Sequence, residues 1–257
     1  MAGELKIDAR RQEILSLLRR DGQVRVSTLS EQLGATPVTI RSDLDALERD
    51  GYLERTQGGA IQTMKNYYNM DFQRRTREHM DKKKSIAAAA ANMVHDGDIL
   101  LINSGTTTYF TAMELKKRKN LNIVTNSISV AVELGCVPTF RVILLGGEIN
   151  AQYSFTYGED AKNQLSSFKA DWAILSVDGI CPDTGLTTYH AEEGVIDRIM
   201  MERAARTMIV ADSTKLGYES FSQVCSLHGV TTWITDQEAN SPLAQQIAEK
   251  GVNIHFA

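Results

Sequence analysis

Hydrophobic residues in the first quarter of the chain recur at intervals of three and four positions, the period of an α-helix. Three such stripes precede residue 50: Ile14–Leu17–Leu18, Leu29–Leu33 and Ile40–Leu44–Leu47. Two short segments, 52–56 and 60–63, then flank Gln57–Gly58–Gly59 in the manner of a small hairpin. The pattern predicts three helices and a two-stranded wing, the arrangement of a winged helix-turn-helix.

The third predicted helix carries polar residues on the face opposite its apolar stripe. It starts at Thr36–Pro37, a threonine N-cap followed by proline at the first helical position. The first turns of a recognition helix meet base edges and phosphates, and an arginine there can pair with guanine. The predicted DNA contacts are four residues of this helix and one arginine of the wing: Val38, Thr39, Arg41, Ser42 and Arg55. A three-helix domain that binds a protein partner is the alternative.

The rest of the chain alternates short apolar runs with helical stretches, an order that indicates βαβ units and a mostly parallel sheet. The six runs are Ile99–Ile102, Asn122–Thr125, Arg141–Leu145, Trp172–Val177, Met208–Ala211 and Thr232–Ile234. Each run is followed at once by small or polar residues. Because ligands bind beyond the carboxyl ends of the strands in an open parallel sheet, these segments predict one polar crevice.

Residues 103–108 are the strongest candidate within that crevice for binding an anion. They precede a predicted helix, whose N-terminal N–H groups and dipole favour a phosphate. The GxxxxGKS/T and GxGxxG patterns of nucleotide sites are missing from the sequence, which favours a small phosphorylated ligand over ATP or NAD. The same residues would also begin a helix without any ligand. The predicted effector contacts, all in loops after strands, are Ser104, Gly105, Thr106, Thr107, Asn126, Ser127, Gly146, Gly147, Asp178 and Lys215.

Charge is unevenly distributed along the 257 residues. The net charge of −4 excludes a uniformly basic nucleic-acid coat but not a local basic patch. Residues 63–84 carry a net +4, whereas residues 85–257 carry −7. We therefore predict a DNA-binding domain at 1–62, a basic linker at 63–80 and an effector-binding domain at 81–257. The basic residues near this joint are predicted to be solvated, with a strip that contacts DNA phosphates as the alternative: Arg74, Arg75, Arg77, Lys82, Lys83 and Lys84.

Other features of the sequence predict a cytoplasmic protein with no membrane partner and no metal site. The three cysteines are widely spaced and form neither a CxxC pair nor a Cys/His zinc pattern, as expected of free thiols in a reducing compartment. The first fifteen residues are charged and lack the apolar core of a signal peptide, and no apolar run is long enough to span a bilayer. Acidic residues are scattered rather than clustered with histidine.

The predicted DNA-binding part resembles the signature of the DeoR family of bacterial regulators. The matching positions, within a run from Arg11 to Gly59, are Gly22, Val24, Val26, Leu29, Leu33, Thr39–Ile40–Arg41, Asp43–Leu44, Leu47, Gly51, Leu53, Arg55 and Gly58–Gly59. Two positions depart from the family pattern: Thr36–Pro37 replaces a start that usually contains serine, and Gln57 stands where histidine is common. Both departures bear on which DNA sequence is bound.

The remainder of the chain resembles the effector domain of the same family, which is similar in fold to ribose-5-phosphate isomerase. The matching segments are Ser104–Gly105–Thr106, Thr125–Asn126–Ser127, Gly146–Gly147, Asp178–Gly179–Ile180, Gly185–Leu186–Thr187–Thr188 and Ala211–Asp212–Ser213–Thr214–Lys215. The resemblance thus covers nearly the whole chain. It implies an α/β protein with an N-terminal winged helix-turn-helix and a Rossmann-like, ribose-5-phosphate-isomerase-like effector domain.

The resemblance also implies a function. Such a protein binds double-stranded operator DNA, usually as a repressor of a sugar or polyol catabolic operon, and responds to a phosphorylated sugar or polyol without a cofactor. We expect a homo-oligomer, dimer or tetramer, because two recognition helices are needed for paired half-sites. The alternative is a sugar-phosphate isomerase with an appended DNA-binding domain. Isomerases of this type have a lysine and a glutamate after the Asp–Gly loop, whereas Gly179 to Arg198 contains Glu192 and Glu193 but no lysine, so we predict no catalytic residues.

Overall fold

The computed structural model describes residues 10–11, 13–18, 21–49, 52–61 and 72–257. The chain divides into two compact units, Met1–Asp71 and Phe72–Ala257. Of the predicted linker, residues 63–71 lie outside the described residues, and residues 72–80 are helix or turn in the second unit. The boundaries placed at 63 and 81 remain predictions.

The described part of the first unit is a winged helix-turn-helix. Its elements are α1 (helical at 10–11, 13–18 and 21), β1 (Gln23–Arg25), α2 (Val26–Leu33), α3 (Pro37–Arg49), β2 (Glu54–Thr56) and β3 (Gly59–Ile61). Strand β3 pairs antiparallel with both β1 and β2, so the wing is a three-stranded sheet rather than the predicted two-stranded hairpin. The predicted wing residues 62 and 63 lie outside the described residues.

The helices of the first unit are held by one apolar core and one buried acid. Ile40 and Leu44 are fully buried, as the apolar stripe of the third helix predicts. The hydroxyl of Thr36 accepts the N–H of Thr39 at 3.2 Å, which confirms the predicted N-cap. The buried carboxylate of Asp43 pairs with Arg10 at 2.5 Å and Arg11 at 3.0 Å, and so joins α3 to α1.

The second unit is built on a seven-stranded sheet whose neighbouring strands are all parallel. Its helices are α4 (Phe72–Arg77), α5 (Met80–Asn92), α6 (Thr106–Leu115), α7 (Ile128–Gly135), α8 (Glu159–Ser166), α9 (Ala191–Arg203) and α10 (Pro242–Glu249). Its strands are β4 (Ile99–Ile102), β5 (Asn122–Thr125), β6 (Arg141–Leu144), β7 (Glu148–Asn150), β8 (Phe155–Tyr157), β9 (Ala170–Leu175), β10 (Gly179–Cys181), β11 (Gly185–Thr188), β12 (Ala204–Val210), β13 (Ser222–Cys225), β14 (Thr232–Thr235) and β15 (Asn253–Phe256). The six predicted strands are present, and β15 adds a seventh.

Both faces of the large sheet are covered by helices. Along β4, Leu101 belongs to one apolar cluster, whereas Leu100 and Ile102 belong to the other, because successive side chains of a strand point to opposite faces. Helices α8, α9 and α10 pack on the first face, and α5, α6 and α7 pack on the second. The predicted Rossmann-like α/β fold is confirmed.

The strand order β15-β14-β12-β9-β4-β5-β6 reverses direction between β4 and β9. The chain proceeds outward from β4 through β5 to β6, and then resumes on the other side of β4 with β9. The loops after β4 and β9 therefore diverge to opposite faces and leave a crevice between them, the place where open α/β sheets bind ligands. A small sheet, β10-β11-β13, and the β7–β8 hairpin follow strand ends and complete the surroundings.

Candidate functional site

The outer face of α3 carries four of the residues predicted to contact DNA. Val38 is 72% exposed although it is apolar, and Arg41 and Ser42 are exposed one turn later. Thr39 is half-buried because its hydroxyl lies 2.9 Å from that of Thr36. The face thus offers one apolar group and one unencumbered guanidinium in the first two turns, the combination that reads base edges in a major groove.

Arg55 of the wing is bound to the protein rather than extended from it. Its guanidinium pairs with Asp45 of α3 and donates to Gly59 O at 3.0 Å and to Arg41 O at 3.4 Å. Its backbone N–H donates to Glu48 Oε1 at 2.8 Å. These contacts fix the wing against the recognition helix. Direct contact of Arg55 with DNA remains a prediction.

In the second unit, the switch point between β4 and β9 is closed by a reciprocal amide pair. Asn103 Nδ2 donates to Ser176 O at 2.9 Å, and Ser176 N donates to Asn103 Oδ1 at 2.9 Å. Gly105 lies directly against this pair, since a Cβ at that position would come within 2.6 Å of Ser176 Cβ. As the N-cap of α6, Gly105 supplies no side-chain acceptor for the N–H groups of the first turn. The predicted anion loop therefore sits at a helix N-terminus in the crevice.

Two predicted effector contacts, Ser104 and Asp178, are brought together by residues of α9 and β11. Ser104 Oγ donates to Glu193 Oε1 at 2.6 Å. Thr188 Oγ1 bridges the two acids, at 3.3 Å from Glu193 Oε2 and 3.1 Å from Asp178 Oδ2. Tyr189 N donates to the same Asp178 oxygen at 2.9 Å. The crevice thus contains an ordered chain of hydroxyl and carboxylate groups.

Burial makes the acids of α9 resist ionisation. Loss of solvent raises the pKa of Glu193 to about 7, and the charge of Asp178 adds to the shift, whereas the hydrogen bond from Ser104 opposes it. One turn further, burial and the neighbouring Glu193 raise the pKa of Asp197 well above its usual range. Asp197 Oδ1 accepts from Asn103 Nδ2 at 3.0 Å, while its Oδ2 is buried without a hydrogen-bond partner in the described structure.

Arg75 of α4 also reaches the crevice. Its Nη2 lies 3.5 Å from Asp178 Oδ1, and its guanidinium carbon lies 5.1 Å from the centre of the Tyr153 ring. The Tyr153 ring is in edge contact with His190, at 4.3 Å between centroids. Burial raises the pKa of Tyr153 and lowers that of His190, so both are neutral near pH 7.

The predicted solvation of the basic joint is wrong for three of its residues. Lys83 is 1% exposed and donates to Arg75 O at 2.8 Å and Glu78 O at 2.5 Å. Lys82 pairs with Asp236 at 3.2 Å and Glu238 at 2.7 Å. The third residue, Arg75, contacts Asp178. The three cations are therefore bound to backbone carbonyls of residues 75 and 78 and to carboxylates that follow β9 and β14. Arg77 and Lys84 are exposed, and the side chain of Arg74 lies outside the described residues.

The other predicted effector contacts follow strand ends but contact different neighbours. Lys215 is buried, and although burial opposes ionisation of Asp212, the Lys215 charge and the hydrogen bond from Thr214, with smaller contributions from other cations, together lower the Asp212 pKa. Thr106 and Thr107 are buried in the first turn of α6. Asn126 Nδ2 donates to Thr156 O at 3.3 Å, and Ser127 Oγ caps α7 by accepting Val130 N at 3.3 Å. Gly146 N donates to Gln164 Oε1 at 3.0 Å, and Gly147 adopts φ 135° close against Tyr157 O. Their roles in effector binding remain predictions.

Sequence reasoning did not include Arg75, Tyr153, Glu193 or Asp197 among the effector contacts. A signal for the two acids exists in α9. Its five buried residues are Glu193, Gly194, Ile196, Asp197 and Met200, and two of them are carboxylates. Buried acids need partners, and this pattern therefore points to a polar site. No comparable signal marks Arg75 within its run of basic residues.

Comparison with known families decides the identity of both units. Residues 10–65 match the family model "DeoR-like helix-turn-helix domain", and residues 78–237 match "DeoR C terminal sensor domain". The chain belongs to the DeoR family. It is therefore a transcriptional regulator with a DNA-binding unit and a sensor unit, as the resemblance of the sequence implied.

Curated relatives match this DeoR-family regulator over almost its full length. It is 30% identical to the HTH-type transcriptional repressor GlcR of Bacillus subtilis over 241 residues, 94% of this chain and 93% of that one. It is 29% identical to the glycerol-3-phosphate regulon repressor of Escherichia coli over 252 residues, 98% of this chain and 100% of that one.

Solved structures resemble the regulator only distantly. A ribose 5-phosphate isomerase A from Methanocaldococcus jannaschii superposes with a TM-score of 0.40 and 15% identity, over 54% of this chain and 55% of that one. That similarity is too low to indicate a shared activity.

Two further features concern only the described part of the regulator. It contains no helix long and apolar enough to cross a membrane. The same residues include no group of three or more His, Cys, Asp and Glu side chains placed to hold a metal ion.

Proposed function

We propose that this regulator represses a sugar or polyol catabolic operon and that a phosphorylated sugar or polyol, bound in the sensor crevice, weakens its hold on operator DNA. The observation that carries the proposal is the composition of the switch-point crevice. It places a helix N-terminus suited to a phosphate beside Asp178 and Glu193, whose oxygens accept hydroxyl groups. The names of the relatives, which include a repressor of a glycerol-3-phosphate regulon, support this ligand class.

The DNA-binding part of the proposal uses α3 in the major groove, with Val38, Thr39, Arg41 and Ser42 facing the bases. A homo-oligomer would present two such helices to paired half-sites, spaced by about 34–36 Å or a multiple of it. An effector that changes how the protomers are arranged alters that spacing and so lowers affinity. The size of the effect is limited by the effector's different affinity for the two arrangements.

The test is fluorescence anisotropy at fixed salt with the duplex that in vitro selection recovers as the tightest ligand. A panel of sugar and polyol phosphates is added, each beside its unphosphorylated counterpart. Release by one phosphate but not by its counterpart supports the proposal and identifies the effector. Ser104→Ala should weaken that release, whereas Ser166→Ala, an exposed serine at the end of α8, should not. Failure to select any duplex contradicts regulation by DNA binding.

We propose further that the crevice binds without turnover and needs no cofactor. An isomerase requires a base and a group that stabilises the enediolate. The loop and helix from Gly179 to Arg198 supply glutamates but no lysine. Purified protein should not interconvert aldose and ketose phosphates in a coupled assay. Protein-dependent turnover that disappears in Asp178→Ala would overturn this part.

A further inference from the structure

One oxygen of Asp178 is committed to the fold, and the other is not. Oδ2 accepts from Thr188 Oγ1 at 3.1 Å and from Tyr189 N at 2.9 Å, both ordinary hydrogen-bond lengths. Oδ1 is contacted by Arg75 Nη2 at 3.5 Å, which is the outer limit for a hydrogen bond. The Arg75 contact is therefore mainly a charge interaction between two largely buried side chains, and a better-placed partner can replace it.

Arg75 lies on a helix whose backbone is held in place by neighbouring elements. Its own carbonyl is held by the buried ammonium of Lys83 at 2.8 Å. At the start of the same helix, Phe72 N donates to Gln152 O at 3.3 Å, and the Phe72 ring stands edge-on to Tyr109 of α6 at 5.5 Å. These contacts tie α4 to α5 and α6.

Helix α4 is the first described element after the DNA-binding unit along the chain. It carries the only described cation in contact with Asp178. The charge of Arg75 also opposes the rise in the pKa of Glu193, which accepts the hydroxyl of Ser104. One residue therefore contacts Asp178 in the crevice and belongs to the helix that follows the DNA-binding unit along the chain.

We propose that Arg75 is the positioning residue that couples effector binding to operator binding, by exchanging Asp178 for the phosphate of the effector. A phosphate is a stronger partner than a carboxylate at 3.5 Å, because the guanidinium can contact it through two parallel hydrogen bonds. Asp178 Oδ1 is then free to accept a hydroxyl of the same ligand. An unphosphorylated sugar has no anion to attract Arg75, so it leaves α4 in place. This inference rests on the proposed function.

The experiment measures operator affinity without any effector, since breaking the contact should imitate the bound state. Arg75→Gln removes the cation of the Arg75–Asp178 contact, and Asp178→Asn removes its anion. Each variant should weaken operator binding roughly 10-fold. The double variant should be no weaker than either single one, because all three lack the same contact. Arg141→Gln, which removes an exposed arginine of the sensor unit outside the basic joint, is the matched control and should bind within about 2-fold of the wild type.

Wild-type affinity in both single variants, with folding confirmed by circular dichroism, overturns the inference and leaves the proposed function intact. Failure of the wild-type protein to bind any selected duplex is instead a failure of the proposed function. If either variant does not fold, Arg75→Lys provides the second measurement. It keeps the charge but loses the two-pronged geometry, so it should retain operator affinity and lose most of the release by the panel's active phosphate. Full release in Arg75→Lys also overturns the inference.

Discussion

The two units expose their functional groups in opposite ways. On α3, three of the four residues proposed to contact bases, Val38, Arg41 and Ser42, are exposed to solvent. In the sensor crevice, Asp178, Glu193 and Asp197 are buried; Thr188 bridges the first two by hydrogen bonds, and Asn103 donates to the third. A surface that reads a large polymer can be assembled from exposed side chains. A site for a small polar ligand has to replace water around it, so its polar groups are buried and held in place.

This difference has an energetic consequence. Removing an exposed side chain of α3 changes binding and little else, since surface substitutions rarely alter stability by more than about 0.5 kcal/mol. Removing a buried polar group from the crevice changes both binding and stability, because its partners are left without hydrogen bonds. Variants of α3 should therefore lose binding alone, whereas variants of the crevice should lose both binding and stability.

The largest expected effect concerns the pH dependence of sensor-unit stability. The Glu193 pKa is raised from 4.5 to about 7 in the folded protein, so between these values the folded state holds a proton that the unfolded state has released. Stability contributed by this group consequently falls as pH rises from about 4.5 to 7, by up to about 3 kcal/mol. Glu193→Gln should remove the part of the fall that Glu193 contributes, while Asp197, whose pKa burial also raises, keeps its own part.

The measurement is urea unfolding followed by tryptophan fluorescence at several pH values. Both tryptophans, Trp172 and Trp233, belong to the sensor unit, so the signal reports that unit alone. Glu192→Gln is the matched control, because it removes the same charge from an exposed neighbour and should leave the pH dependence unchanged. A wild-type pH profile in Glu193→Gln would show that folding does not raise the pKa of Glu193.

The same contrast explains what the sequence could and could not predict. Arg41 is found by exclusion, because Ile40 and Leu44 occupy the inward positions of a regular helix. Ser104 and Asp178 are found because parallel strands end at one edge of a sheet. Arg75 and Glu193 come from helices whose positions depend on packing, and no local period relates residue 75 to residue 178. Topology predicted the loops of the crevice, while the residues between those loops required coordinates.

The next largest effect is expected at the recognition helix. Arg41→Ala should weaken operator binding by about 1–3 kcal/mol if the guanidinium reads a guanine, with the loss concentrated at one position of the duplex. Anisotropy titrations against single-base variants of the selected duplex measure both effects. Arg49→Ala, at the opposite end of α3, is the matched control. Equal losses in the two variants would indicate that Arg41 contributes only charge.

The smallest effect tests whether the wing arginine belongs with the exposed surface or with the fixed interior. The ion pair between Arg55 and Asp45 is partly exposed, so its contribution to stability is at most about 1 kcal/mol. If Arg55 only holds the wing against α3, Arg55→Ala and Asp45→Ala should weaken operator binding to a similar, small extent. The salt dependence should stay the same in both.

If Arg55 instead contacts a phosphate, Arg55→Ala alone should lower the slope of log affinity against log salt by about 1, because one fewer counterion is released. Titrations of the two variants across a series of salt concentrations distinguish these outcomes. The contacts to Asp45, Gly59 and the α3 backbone favour the first, since a guanidinium satisfied on three sides has little capacity left for DNA.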